Sequence, residues 1–69
     1  MSDPVTARRL RAKALLEAMK ESNEAWSADK IIRWLQSRYF MRLQTAEAYI
    51  GDMVRAGMIK YTKKGYVAK

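Results

Sequence analysis

Along most of the chain the apolar residues recur every three to four positions, and near the C-terminus they switch to a strand-like spacing; the switch falls on Gly57. In the first segment Val5, Ala12, Leu15, Leu16 and Met19 share one side of a helix, while Ala7, Leu10, Ala14 and Ala18 fall together on the opposite side. The spacing predicts a helix over residues 4–20. Asp3 is placed to cap its free N–H groups, and Pro4 suits a first helical position, where an amide donor is not needed. The first side is the core face. The second is read chiefly as alanines that favour helix, with a seam for a second subunit as the alternative.

The stretch ESNEAW carries turn and cap residues without glycine, and Ser27 follows as the cap of a second helix over 28–39. Ala28, Ile31, Ile32, Leu35 and Tyr39 mark its buried stripe, Trp34 sits at the edge, and Lys30 and Arg33 face outward. YFMRLQ then leads to Thr45, the expected cap of a third helix over 45–56. There Ala46, Ile50, Met53 and Val54 point one way with Tyr49 at the margin, and Gln44, Thr45, Ala48, Asp52 and Arg55 point the other. Gly57 supplies the left-handed residue that closes a helix. MIKYT, KKG and YVAK read as a hairpin over 58–68 with a three-residue loop, paired through Thr62 and Tyr66. In that register Ile59, Tyr61 and Val67 close the core, while Lys60, Thr62, Tyr66 and Ala68 face away.

Composition narrows what such a chain does. It has 69 residues, near the lower limit for one apolar core without disulfides or metal. Cysteine and histidine are absent, which excludes disulfide frameworks, zinc sites, thiol nucleophiles and imidazole bases. No glycine loop for phosphate is present, so the chain is read as a non-enzyme with no cofactor, no metal and no evident small-molecule ligand. Positive charges interleave with apolar residues at the N-terminus, unlike a signal peptide or membrane span, and a cytoplasmic location is expected. With 14 Lys+Arg against 7 Asp+Glu the net charge of +7 points to a polyanionic partner, nucleic acid first. Residues 58–69 hold four lysines and no acid, whereas 27–57 hold five basic and three acidic residues. The excess is in the hairpin.

Three helices followed by a basic hairpin, with Thr45-Ala46, Ile50, Met53 and Gly57-Met58-Ile59 at their observed spacing, resembles the winged helix-turn-helix family of small bacterial and phage-type regulators. The resemblance covers roughly residues 27–67. It departs from the family's most compact members before the third helix, where RYFMRLQ lacks a glycine and is about four residues longer, which an extra turn on the second helix would accommodate. The resemblance implies a mainly α fold with a small β-hairpin wing, and double-stranded DNA as partner. It places the third helix in the major groove and the wing on the phosphate backbone.

On that implication the base-reading candidates are Gln44, Thr45, Ala48 and Tyr49, with Gln44 suited to adenine and Ala48 or the Thr45 methyl to a thymine methyl. The backbone candidates are Lys30, Arg33, Arg42, Arg55, Lys60, Lys63, Lys64 and Tyr66. Glu47 and Asp52 either accept from cytosine, neutralise neighbours such as Arg55 and Arg42, or are ordinary solvated charges. Gly51 either permits close approach or is a tolerated defect costing ~1 kcal/mol. Two further readings stand beside a transcriptional regulator. One is an architectural or excisionase-like DNA-bending protein; the other is a protein- or RNA-binding winged-helix subunit, kept open by the helix acids and by Trp34, Tyr39 and Phe40. The candidate partners are therefore duplex DNA, a second copy through Ala7, Leu10, Ala14 and Ala18, or another protein.

Overall fold

The computed structural model describes residues 4–69, with side chains from residue 6 onward. The Asp3 cap and the side chain of Val5 lie outside the described residues. Three helices, α1 (Pro4–Ser22), α2 (Ala28–Arg38) and α3 (Leu43–Arg55), precede two strands, β1 (Ile59–Thr62) and β2 (Gly65–Ala68), which pair antiparallel. This is a mainly helical, winged helix-like topology.

One core serves all five elements. Ala12, Leu15 and Met19 come from α1, Ile31 and Leu35 from α2, Ala46, Tyr49, Ile50 and Met53 from α3, and Ile59 from β1, with Trp26 between α1 and α2. Among the described residues no polar or charged residue is buried. Apolar burial at about 25 cal/mol per Å² is thus the main term favouring this fold.

Each helix end has its own chemistry. α1 stops at Ser22 because Asn23 takes a positive φ of 54°, a conformation that asparagine tolerates better than most side chains. Ser27 caps α2 as expected, its hydroxyl accepting from the Lys30 amide at 3.1 Å, a contact worth about 1 kcal/mol. At the end of α3 the Gly57 amide donates to Val54 and the Met58 amide to Met53, with Gly57 at φ 76°. That pair of bonds satisfies carbonyls the helix leaves free, and a β-carbon would oppose the backbone that makes it.

Four expectations are corrected. Thr45 is not a cap: α3 begins two residues earlier, after Arg42, whose extended backbone provides no side-chain cap. The surplus length before α3 is therefore absorbed by its own early start and by an extended connection over 39–42, with α2 running only to Arg38. Within α3, Tyr49 is core and Val54 is exposed, the reverse of the expected margin, because the buried arc is centred on Ala46, Tyr49, Ile50 and Met53. The hairpin register also differs by one residue: Thr62 pairs with Gly65, Tyr61 with Tyr66 and Ile59 with Ala68, around the two-residue loop Lys63-Lys64. Directly paired residues share a face, so Tyr66 and Ala68 turn toward the core and Val67 turns away from Ile59.

The register is set from outside the hairpin. Trp26 forms an isolated antiparallel bridge with Tyr66, its amide donating to the Tyr66 carbonyl at 2.9 Å and its carbonyl accepting from the Tyr66 amide at 2.7 Å. Gly65 is the residue that lets the two backbones meet, since a β-carbon there would stand 2.6 Å from the Trp26 carbonyl oxygen. The Trp26 side chain anchors the same spot: it is 4% exposed, and its indole N–H donates to the Ser22 hydroxyl at 2.7 Å.

Candidate nucleic-acid interface

The four buried residues of α3 occupy one side, so the opposite side is presented to solvent on a helix held rigidly by the core. Gln44, Ala48, Gly51 and Arg55 follow one another there at intervals of four, three and four, which aligns them along one helix face. Thr45 lies in the first turn, exposed, on the flank nearer Asp52. Ala48 and Gly51 make this surface flush. Gly51 has room for a methyl, its nearest neighbour being Arg55 Nη2 at 3.6 Å, so its absent side chain answers no internal packing need.

The acids on α3 have different surroundings. Asp52 accepts from Arg55 at 2.6 Å and pairs with Arg8 of α1 at 2.8 Å, joining the two helices. The Arg55 hydrogen bond, aided by the charges of Arg8 and Arg55 and opposed by partial desolvation, holds the Asp52 carboxyl below its ordinary value. Of the three roles expected for Asp52, neutralising Arg55 is the one this geometry displays. Glu47 borders a cleft with Asp29, Gly51 and Tyr66, and forms no ion pair among the described residues. The cleft between α2 and α3 is therefore bordered by two carboxylates, Asp29 of α2 and Glu47 of α3, that form no ion pair among the described residues.

Several cations are held against aromatic faces. Arg8 lies over Tyr49 at 4.8 Å, Arg11 over Tyr39 at 5.1 Å, Lys30 over Trp26 at 4.6 Å and Arg38 over Trp34 at 4.8 Å. Among the expected backbone candidates, Lys30 thus rests on a ring and Arg55 is paired, whereas Arg33, Arg42, Lys60, Lys63 and Lys64 are exposed with neither kind of partner among the described residues. Arg42 stands immediately before α3. Lys63 and Lys64 form the hairpin tip, and Lys64 borders a shallow depression with Lys20, Asn23 and Glu24, which seats the tip beside the α1–α2 connection.

Two expected site residues are not presented to a partner. Tyr49 is 3% exposed, packed in the core beneath the Arg8 guanidinium, and so is withdrawn from base contact. Tyr66 is half-buried, its ring edge-on to Tyr61 at 5.0 Å and packed on the core, as the corrected register requires. Tyr61, its direct cross-strand partner on the same face, was expected to close the core but lies at the rim, 70% exposed. On the α1 face offered as an alternative seam for a second subunit, Ala18 packs on the core, Ala7 and Ala14 are half-buried, and Leu10 is open at 62%.

Spacing alone did not single out the Arg8–Asp52 contact or Phe40. Phe40 is wholly exposed in the α2–α3 connection because Tyr39 and Met41 on either side turn inward, an alternation that the extended backbone of Tyr39 begins. Its signal was the aromatic group Trp34, Tyr39 and Phe40 in the sequence, of which Trp34 and Tyr39 pack on the core. Comparison of the chain with family models, with curated proteins and with solved structures finds no match in any of the three. Among the described residues no helix is long and apolar enough to cross a membrane, and no group of three or more carboxylates lies where it could hold a metal ion.

Proposed function

We propose that this protein is a small sequence-specific binder of double-stranded DNA, acting in transcriptional regulation in the cytoplasm, without catalysis or cofactor. The observation that carries the reading is the outward face of α3: a flush line of Gln44, Ala48 and Gly51 on a core-braced helix, with the unpaired Arg42 at its leading end. A major groove accepts a helix of this kind, and small side chains let its backbone come close enough for Gln44 to meet a base edge. Lys60, Lys63 and Lys64 supply phosphate contacts from the hairpin. The winged helix-like topology supports this division of labour between a reading helix and a gripping hairpin.

The decisive experiment is an NMR titration with short duplexes at low salt, followed by selection of bound sequences from a random pool. Shift changes are expected to cluster on Arg42 to Arg55 and Lys60 to Lys64, with binding that weakens steeply as salt rises. If neither cluster moves, DNA binding is wrong. The selected half-sites report whether one or two copies bind, and cooperative binding of several protomers with DNA bending favours the architectural reading over a simple regulator.

A further inference from the structure

A second surface, away from the outward line of α3, is built for a different partner. Where α1 crosses the C-terminal end of α3, an open groove of about 620 Å³ has a floor of Ala12, Leu16, Met53, Ala56 and Met58. Its lining is almost wholly apolar. Arg8, Arg9 and Lys13 stand along its α1 edge, and Asp52, the acid at its border, is already matched by Arg8 and Arg55. Arg9 and Lys13 are exposed, one helical turn apart, with no ion pair or aromatic ring to hold them among the described residues.

We propose that this groove binds an amphipathic helix of a partner protein, one whose apolar stripe is bordered by carboxylates a turn apart. The charge along the rim selects the occupant. A second copy of this chain would bring its own α1, with five basic residues against two acidic, onto an edge that is already basic. A partner helix with Glu or Asp at i and i+4 instead meets Arg9 and Lys13 while its leucines fill the floor. Met58, half-buried in the floor above the buried Met53, suits such a stripe because an unbranched thioether adapts to the side chains laid on it. The inference is independent of DNA binding: none of the groove residues belongs to the proposed DNA contacts.

The test uses the full chain and a fluorescein-labelled 18-residue helical peptide with leucines at i, i+3, i+4 and i+7 flanked by glutamates. A scrambled peptide of the same composition and a lysine-for-glutamate version serve as controls. Expected are amide and methionine-methyl shifts on Arg9, Ala12, Lys13, Leu16, Met53, Ala56 and Met58, and at least about tenfold weaker binding of both controls. The double variant Arg9→Glu/Lys13→Glu should lose the charged peptide and gain the lysine version, and Ala56→Gln should weaken both by filling the floor. Circular dichroism verifies that each variant folds. Equal binding of the scrambled peptide would overturn the proposal, since simple charge attraction would then suffice. So would groove shifts that appear on concentrating the protein alone, which assign the groove to a second copy, or groove shifts with phosphatidylglycerol vesicles but not with the peptide. Duplex titration of the same variants reads the DNA proposal separately.

Discussion

The helical part of the molecule carries ten of the fourteen lysines and arginines and the hairpin region 58–69 the other four, and the two use them differently. On α1, α2 and α3, Arg8 and Arg55 are drawn to Asp52, and Arg8, Arg11, Lys30 and Arg38 lie over tyrosine or tryptophan rings. On the hairpin Lys60, Lys63 and Lys64 have no such partner among the described residues. A guanidinium already stacked or paired has part of its attraction for phosphate satisfied, so net charge overstates the cation available to a polyanion. The hairpin's free lysines depend in turn on a neutral contact. The Trp26–Tyr66 bridge holds their strands in register, and Gly65 makes that bridge possible.

The comparison breaks most forcefully at Gly65. Gly65→Ala pushes a β-carbon into the Trp26 carbonyl, and a loss of about 3 kcal/mol is expected in urea unfolding, with the amides of 60–67 losing hydrogen-exchange protection first. Wild-type stability in this variant would mean that the bridge does not set the hairpin. Next comes the charge itself. Lys63→Ala/Lys64→Ala should leave stability nearly unchanged while lowering the salt slope of duplex binding by up to about two. An unchanged slope would remove the hairpin from the phosphate contacts.

A third change separates packing from recognition on α3. Gly51→Ala should stabilise the fold by about 1 kcal/mol, since a methyl fits there and alanine favours helix. If the flush face enters a groove, the same variant should bind duplex several-fold less tightly. Affinity that rises with stability would mean that no close approach occurs at Gly51. The smallest effect is at Asp52. Asp52→Asn releases Arg8 and Arg55, and the salt slope should steepen by about one; no change would mean that those guanidiniums were already available.

Acid tests the same pair without mutation. The Asp52 carboxyl is held below its ordinary value when folded, chiefly by the Arg55 hydrogen bond. Its contribution is therefore complete above the ordinary carboxylate pKa and is lost as pH falls through the lowered folded value. A carboxyl-carbon titration should show Asp52 protonating below the ordinary aspartate range, and the Arg8 side-chain signals should move in the same acid step. Movement of Arg8 at a different pH would uncouple the α1–α3 contact from Asp52.

Local patterns carried the element order. Apolar spacing marked each helix, Ser27 and Gly57 marked two of their ends, and the basic hairpin was plain from KKGY. These are short-range effects in which a residue's side chain acts on backbone within a few positions of itself. The exposed face of α3 was legible to the same degree, because Gln44, Ala48 and Arg55 follow from helical spacing once the opposite side is buried.

Three features required the folded chain. Whether Tyr49 or Val54 entered the core depended on how α3 lay against the neighbouring elements, which the helix's own sequence leaves open. The hairpin register depended on Trp26, some forty positions earlier in the chain, bonding to Tyr66. The state of each cation depended on which ring or carboxylate the fold carried to it, as with Arg8, Tyr49 and Asp52. Sequence by itself thus determined the helices, the cap at Ser27 and the turn at Gly57, since those energies are local. Tertiary structure alone decided the register and the partners of each charge, because these arise from contacts between segments whose separation along the chain says nothing of their distance in space.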